Sequence, residues 1–381
     1  MNDELPPELL NSDPKGYAWQ VWHDRTPKLV AKIKDTNSYG PKEHDALDAL
    51  LTEIFSGVIE PLGAQAHDRE VWAGWGAEHF GKPWSDAPFL WSESYFYRRV
   101  LDAVGFFEPG PWRGVDPFAS LKRAELASLD DLEWPTADAS GQAKLLAALW
   151  GNRADLSFAM GTLTESSSTE LVCDGSAKMW SALAPGAEVV VVADNAGREL
   201  LADLILIDHL LEHGHAASVA LHLKPHPYYV SDATTADLAD TLDRLAETDG
   251  APFHRLRKAI ADGRLSPYVH DFYCAPWSFR RLPADLAVLF ERASLTIMKG
   301  DLNYRRLVGD RAWPATTPFA DAVAYFPGPV AALRTLKSDV AVGIPPATLR
   351  DLDADTPNWR VTGGYGLLQA DLRERGPGSG S

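Results

Sequence analysis

The first 150 residues carry apolar side chains at helical spacing, and no strand-like alternation stands out among them. Apolar residues that recur every three to four positions predict amphipathic helices. The pattern predicts helices over residues 17–37, with a break or kink at Pro27, and over residues 45–62, 92–107 and 117–129. We therefore expect an N-terminal helical region that covers residues 1–150.

Short apolar runs appear in the second part of the chain and predict strands over residues 188–194, 217–223, 294–299 and 322–326. Helices are predicted between them, over residues 198–213, 234–247 and 252–262, and GGYG (363–366) predicts a turn before a further strand. Apolar strands that alternate with helices are typical of α/β proteins whose mainly parallel sheet is covered on both faces. We expect a three-layer α/β/α domain over residues 151–375 and a flexible tail over residues 376–381.

Composition fits a large globular protein with a strongly acidic charge. Of the 381 residues 45% are hydrophobic, and 36 Lys and Arg against 53 Asp and Glu give a net charge of −17. Such a charge disfavours binding to nucleic acid or to an anionic membrane. The two cysteines, Cys173 and Cys274, are too few for a zinc ribbon or a disulfide framework. No signal peptide or membrane-length apolar run is recognisable, so we expect a cytoplasmic protein, whose oligomeric state the sequence does not predict.

Polar clusters follow the predicted strands, at the edge where open parallel sheets bind their ligands. They are Asp194 with Asn195, Ser231 with Asp232, residues 299–303, and Arg334 with Lys337. Each cluster alone also fits a helix cap, a turn or a solvated face. Together, carboxylate and amide oxygens suit a divalent cation, while lysine and arginine suit a phosphate. The combination predicts a phosphoryl-transfer site, where catalysis depends on positioning and charge stabilisation.

Several segments, which follow one another along nearly the whole chain, carry a family resemblance. They are WGNRADLS (150–157), DNAGRE (194–199), VSDAT (230–234), MKGDLNYRRLVGD (298–310), RTLK (334–337) and WRVTGGYG (359–366). This set resembles the metal-dependent damage-control phosphatase family. RTLK matches the RTxK signature of the branch that includes the acidic-residue methyltransferase-like proteins, and HDRTPKLV (23–30) and ESYFYRR (93–99) also resemble that branch. One departure is Ala196, where the family usually has serine.

The resemblance implies that the helical region packs against an α/β/α metal-binding phosphatase domain. It implies a divalent cation (Mn²⁺, Mg²⁺, Co²⁺ or Ni²⁺) held by Asp194, Asn195 and Asp232, with Asp194 and Asp301 as catalytic residues. Contacts to a phosphorylated substrate are implied for Lys299, Gly300, Asp301, Leu302, Asn303 and Lys337. Further pocket residues expected from the matching segments are Arg25, Glu93, Arg98, Glu199 and Arg334. The implied substrates are small phosphorylated metabolites, sugar phosphates such as fructose 1-phosphate and fructose 6-phosphate, hydrolysed in metabolite damage control.

Two other functions stay open at this point. One is methyl transfer from S-adenosylmethionine to protein carboxyl groups, for which Glu199 would be the donor contact, although the loop after residue 194 is poor in glycine. The other is a sugar-phosphate-binding module without turnover. The phosphatase mechanism is open as well: an activated water attacks directly, or Asp194 forms an aspartyl-phosphate. Asp301 either orients the ligand or donates a proton to the leaving oxygen.

Overall fold

A single seven-stranded sheet forms the centre of the computed structural model, which describes residues 5–128, 139–151, 170–247 and 250–373. The strands are β1 (Glu170–Asp174), β2 (Glu188–Val192), β3 (Ser218–Leu223), β4 (Leu265–Val269), β5 (Leu295–Lys299), β6 (Val330–Thr335) and β7 (Tyr365–Asp371). Their order across the sheet is β1-β7-β6-β5-β2-β3-β4. Neighbouring strands are parallel except for β6 and β7, which are antiparallel. The predicted α/β class with a mainly parallel sheet is confirmed.

Helices precede the sheet in the chain and alternate with its strands. They are α1 (Tyr17–Gln20), α2 (Thr26–Thr36), α3 (Pro41–Ser56), α4 (Arg69–Trp75), α5 (Phe89–Ala103), α6 (Ala119–Ala127), α7 (Gly141–Trp150), α8 (Ser176–Ser181), α9 (Arg198–Glu212), α10 (Thr235–Glu247), α11 (Ala251–Ala261), α12 (Ala284–Arg292), α13 (Gly300–Val308), α14 (Phe319–Ala322) and α15 (Pro346–Asp355). A π-helical turn, Val21–Arg25, joins α1 to α2, and short 3₁₀ turns are Trp84–Asp86, Asp271–Cys274, Phe279–Arg281 and Trp359–Val361. No helix among the described residues has the length and apolar character needed to cross a membrane.

Both faces of the sheet are covered, because the side chains of a strand alternate between its two faces. Val189 and Val191 of β2 belong to an apolar core with α7 and α9, whereas Val190 and Val192 belong to the opposite core with α12 and α13. This arrangement gives the three layers expected from the sequence. Helix α7 packs in the first of these cores through Leu145, so it is part of the layer that covers the sheet.

The N-terminal helices form a third, aromatic core. Trp22, Trp84, Trp91 and Tyr95 are buried there, and Leu302 of α13 joins them from the sheet domain. Aromatic rings bury large apolar areas, which explains the many tryptophans in this part of the chain. The helical region is thereby anchored on the carboxyl edge of the sheet, where α13 begins.

The helical predictions hold in type, while their bounds shift by a few residues. The expected kink near Pro27 is a π turn, Val21–Arg25, which ends just before α2 and its proline. Proline lacks the N–H that an ordinary helical turn would use here, and such π turns occur frequently at functional sites. This turn lies beside the cavity described below.

One predicted strand is wrong. Residues 322–326 end helix α14 and its following turn, and the strand that carries the RTLK signature is β6, Val330–Thr335. A short apolar run does not distinguish a strand from a buried helix end. Here Pro318 precedes the first residue of α14, and the helix runs into the start of the apolar run. Strands β1 and β4 had no distinct signal, because only one residue of each is buried. The tail, residues 376–381, and residues 152–157 of WGNRADLS lie outside the described residues.

Candidate active site

Loops at the carboxyl ends of the strands bring the predicted polar clusters together. Asp194 follows β2, Gly300 follows β5, and Lys337 follows β6. The loop with Asp232 is fastened to the first of these, since the Ala233 N–H donates to the Asp194 carbonyl at 2.8 Å. An isolated β-bridge pairs Asn195 with Asp232. Local backbone pairing therefore fixes the two acidic loops side by side.

A cavity of about 300 Å³ lies between this edge of the sheet and the N-terminal helices. From the helical region its polar lining comes from Tyr17, Arg25, Thr26, Glu93 and Tyr97. From the sheet domain the lining includes Asp194, Asn195, Glu199, Tyr229, Ser231, Asp232, Gly300, Asp301, Leu302, Arg305, Thr335 and Lys337. This volume suits a small metabolite, and both regions of the chain contribute to the site.

Three carboxylates concentrate negative charge at the base of the cavity. Asp194 is 4% exposed, and burial followed by the charges of Glu199 and Asp232 raises its pKa well above the usual 3.8. Burial also raises the pKa of Asp232, although the Lys224 ammonium, 3.2 Å from its Oδ2, opposes that shift. Buried carboxylates at this density need a cation to remain ionised at neutral pH.

The donor set at this centre fits a divalent cation. Asp194 Oδ1 is buried and makes no hydrogen bond with the described residues, while Oδ2 accepts one from Asn195 Nδ2 at 3.0 Å. Among those residues no three His, Cys, Asp or Glu side chains are arranged to hold a metal, so an ion here would need the Asn195 amide beside Asp194 and Asp232. Oxygen ligands of this kind are preferred by Mg²⁺ and Mn²⁺.

Gly300 lets the Asp194 carboxylate approach the first turn of α13. Its φ is +78°, a conformation that favours glycine, and a Cβ on it would lie 1.8 Å from Asp194 Oδ2. The free N–H groups and the dipole at the start of a helix stabilise a nearby anion. Gly300 is therefore required by both its backbone conformation and the space that Asp194 occupies.

Replacing Gly300 with alanine is expected to displace Asp194. The added methyl group and the strained φ should lower the free energy of unfolding by about 2 kcal/mol and kcat by roughly tenfold. Urea unfolding and steady-state kinetics measure the two effects. Gly363→Ala is the matched control, because Gly363 also has a positive φ but no atom lies within 4 Å of its added Cβ. An unchanged kcat in Gly300→Ala would contradict the close approach.

Only some residues of the KGDLN segment (299–303) line the cavity. Gly300, Asp301 and Leu302 line it, whereas Lys299 and Asn303 are buried outside the lining. The Asn303 amide donates to the Ala193 carbonyl at 3.0 Å and to the Lys299 carbonyl at 2.8 Å. It thus fastens the start of α13 to the end of β2, and the substrate contacts expected of Lys299 and Asn303 stay predictions.

Asp301 is held as a carboxylate at the cavity wall. Its Oδ1 accepts hydrogen bonds from Arg334 Nε at 2.8 Å, the Lys337 N–H at 3.2 Å and Ser338 Oγ at 3.2 Å. Burial alone would raise its pKa, but the Arg334 and Arg305 guanidiniums reverse this and the pKa is lowered. At neutral pH the group therefore accepts hydrogen bonds and carries no proton to donate.

The cationic side chains differ sharply in their partners. Lys337 is half-buried, lines the cavity, and its ammonium has no hydrogen bond or ion pair with the residues that the structure describes. Arg305 is buried between Glu93 and Asp310, each with an oxygen at 2.8 Å. Arg25 is exposed at the cavity, with Nη1 3.4 Å from the Tyr17 hydroxyl. Lys337 is thus the lysine available to bind an anion.

Two residues predicted to line the pocket, Arg98 and Arg334, are buried outside the cavity lining. Arg98 is 2% exposed and pairs with Asp68 through two hydrogen bonds of 2.8 and 2.7 Å. Arg334 is fully buried, supports Asp301 and donates to the Val340 carbonyl. Neither lines the cavity, in contrast to Arg25, Glu93 and Glu199. Both arginines have the buried ion pairs that a structural role requires.

Some lining residues were not assigned from the sequence, namely Tyr17, Tyr97, Tyr229 and Arg305. Tyr97 and Arg305 belong to the segments ESYFYRR and MKGDLNYRR, which carried the resemblance but gave no reason to select them. Burial raises the pKa of each tyrosine, so the hydroxyl groups are neutral. They supply hydrogen-bonding groups that suit a hydroxylated ligand.

The cavity combines buried carboxylates with a lysine that has no ammonium partner among the described residues, and it lies at the carboxyl edge of the sheet, where α/β enzymes bind their ligands. Residues 21–352 match the family model of the damage-control phosphatase ARMT1-like domain. The chain therefore belongs to the ARMT1-like damage-control phosphatase family and is a phosphatase by class.

Relatives named damage-control phosphatase ARMT1 are similar over nearly their whole length. The mouse protein (Mus musculus) is 28% identical, and the alignment covers 97% of this chain and 99% of the relative. The zebrafish protein (Danio rerio) is 27% identical, with 96% and 97% covered, and the human protein is 27% identical, with 96% and 99% covered. A crystal structure of a DUF89 family protein from Pyrococcus horikoshii has a TM-score of 0.49 and 14% identity, covering 92% of this chain and 96% of that one.

Proposed function

We propose that the chain is a cytoplasmic, metal-dependent phosphomonoester hydrolase of small phosphorylated metabolites, with fructose 1-phosphate and fructose 6-phosphate as the first substrates to test. One observation carries the proposal: the buried carboxylates of Asp194 and Asp232 line the same cavity as the Lys337 ammonium, which has no partner in the described ranges. The negative charge on the oxygens of a phosphoryl group in transfer is stabilised by the cations placed around it. Lysine supplies one positive charge, and a cation on the carboxylates would supply the other.

Asp194, Asn195 and Asp232 would hold the cation, which is Mn²⁺, Mg²⁺, Co²⁺ or Ni²⁺ in this proposal. A bound divalent ion of this kind polarises a phosphoryl oxygen and neutralises developing charge. Asp194 Oδ1, which has no donor among the residues that the structure describes, supports this assignment, since a buried acceptor without a donor is costly unless a ligand occupies it.

The other residues of the cavity position the substrate. The Lys337 ammonium would bind the phosphoryl oxygens as a point charge. Asp301, whose lowered pKa keeps it ionised, would accept a hydrogen bond from a substrate hydroxyl and not act as the proton donor. Glu93 and the hydroxyls of Tyr17 and Tyr229 line the cavity and would pair with further hydroxyl groups. Such a wall supports a polyhydroxylated substrate such as a sugar phosphate.

Activity should disappear on metal removal. We expect exhaustive chelation to lower phosphate release from fructose 1-phosphate by at least about tenfold, and added Mn²⁺ or Mg²⁺ to restore it. Release of inorganic phosphate from the full chain measures this, with a heat-inactivated sample as the background. Full activity in chelated protein would refute the metal requirement, and substrate binding without turnover at any metal concentration would favour the non-catalytic binding module.

Carboxyl methyl transfer has less support at the same strand end. A donor site of the Rossmann type needs an open glycine-rich loop between strand and helix. Here the loop before α9 is covered by α6, because a Cβ on Gly197 would lie 2.9 Å from the Glu125 carboxyl carbon. Incubation with a labelled methyl donor and an acidic protein tests this activity directly, and transfer by the wild type that Glu199→Gln loses would establish it.

A further inference from the structure

Lys299 lies beneath the acidic centre and not on the cavity wall. It is 1% exposed, and its Nζ lies 3.2 Å from Glu199 Oε1 and 2.9 Å from Asp203 Oδ1. The same ammonium donates to the Ala148 carbonyl at 2.5 Å. Two of the three N–H donors of the lysine are used in the hydrogen bonds to Glu199 and Ala148, and the Asp203 carboxylate forms an ion pair with the same ammonium.

Glu199 connects this lysine to the site. Its Oε1 faces Lys299, while its Oε2 accepts a hydrogen bond from Asn195 Nδ2 at 2.9 Å. That nitrogen also donates to Asp194 Oδ2 at 3.0 Å. A continuous chain of contacts therefore runs from Lys299 through Glu199 and Asn195 to Asp194.

This geometry opposes a phosphate-binding role for Lys299. Its ammonium is already paired with two buried carboxylates, and Glu199, unlike Lys299, lines the cavity. A phosphate that approached from the cavity would meet the Glu199 carboxylate before the ammonium, and like charges repel in a buried site. Lys337 has the opposite surroundings, since it lines the cavity without a partner among the described residues.

We propose that Lys299 is a positioning residue, which holds the Glu199 carboxylate and, through it, the orientation of the Asn195 amide beside Asp194. Asp203 is the second anchor of this arrangement, one helical turn after Glu199 on α9. The proposed consequence for cation binding rests on the function proposed above, whereas the consequence for folding does not. Groups that orient metal ligands without touching the metal commonly change metal affinity when they are removed.

The Asp203 carboxylate explains why the lysine is needed. Asp203 is 1% exposed and burial raises its pKa to about 7, against the opposing charge of Lys299. Without Lys299, two buried carboxylates would have no ammonium between them, which strongly destabilises a fold. Neutralising Asp203 should therefore compensate for part of the loss of Lys299.

The test compares Lys299→Met with Lys337→Met, which each remove one ammonium near the same site. Mn²⁺ affinity is measured by calorimetry and electron paramagnetic resonance, and inorganic phosphate is used as an inhibitor at saturating Mn²⁺. We expect Lys299→Met to weaken Mn²⁺ binding by roughly 10-fold or more while the phosphate inhibition constant changes by no more than about twofold. Lys337→Met should give the reverse pattern, because its charge faces the ligand.

A folding measurement keeps the proposal testable if Lys299→Met is too unstable for binding studies. We expect Lys299→Met to lower the melting temperature of the metal-free protein by roughly 10 °C and Lys299→Met with Asp203→Asn to recover about half of that loss. A raised phosphate inhibition constant with unchanged Mn²⁺ affinity in Lys299→Met, or no recovery in the double variant, would overturn the positioning role. If wild type neither binds Mn²⁺ nor releases phosphate, the proposed function fails, and the melting temperatures still decide the role of Lys299 in the fold.

Discussion

Replacing Asp194 with alanine is expected to lower kcat by roughly 10³-fold or more while the protein stays folded. The carboxylate lies at the end of β2, at the base of the cavity, with one buried oxygen that has no hydrogen-bond partner in the described part of the chain. As a cation ligand or as the nucleophile it would act directly on the reacting group. Phosphate release at saturating substrate measures the loss.

Asp194→Asn, which removes the ionisable group and keeps its size, should make the metal-free protein more stable at neutral pH. Burial and the charges of Glu199 and Asp232 raise the pKa of Asp194 well above 3.8, so the folded state retains a proton that the unfolded state has lost. Stability therefore falls as pH rises from about 4 through the raised pKa, because the folded state binds more protons in that range. Asp194→Asn should show a weaker decline in the free energy of unfolding between about pH 5 and 8.

Asp208→Asn is the control for this prediction. Asp208 is a buried carboxylate on α9 that pairs with Arg255, outside the cavity lining, so its loss should affect stability and leave kcat within about twofold of wild type. A near-normal kcat in Asp194→Ala would show that Asp194 has no catalytic role and only caps its loop. Mass spectrometry of quenched wild-type reactions would decide whether a phosphoryl group is transferred to Asp194.

The α/β architecture was predictable because its central strands β2 and β5 are almost entirely buried. The run EVVVV and the run ending in Lys299 are short and rich in apolar and β-branched residues, a composition that favours buried strands of a covered sheet. Edge strands gave no comparable signal: β4 contains Pro267 and is mostly exposed. The sequence also could not show that α7 covers the sheet, since its apolar stripe fits either core.

The site was predictable as a set of loops but not as a set of side-chain directions. Asp194, Asn195 and Asp232 meet because carboxyl ends of neighbouring parallel strands share one edge. Lys299 and Lys337 also lie at strand ends, and the sequence predicts the same substrate-binding role for both. The difference arises from Glu199 and Asp203, which are one turn apart on α9 and draw Lys299 inward. Such a pairing depends on the helix orientation, which the sequence does not specify.

Lys337 should bind the phosphate through its charge and not act as a nucleophile. It lines the cavity, and its ammonium has no ion pair or hydrogen bond with the described residues. A nucleophilic lysine would need a strongly lowered pKa, but a phosphate dianion beside it favours the protonated form. We therefore expect Lys337→Ala to lower kcat/KM by roughly 10²-fold or more, which corresponds to a few kcal/mol of transition-state stabilisation.

Lys337→Arg should recover part of this loss, because it keeps the charge and changes only the geometry of the contact. Lys34→Ala is the matched control: Lys34 pairs with Asp48 in the helical region, outside the cavity lining, and should leave kcat/KM within about twofold of wild type. Equal inactivity of the alanine and arginine variants would count against the electrostatic role. A phosphorylated Lys337 trapped by mass spectrometry would do so decisively, because an electrostatic contact forms no covalent bond to phosphorus.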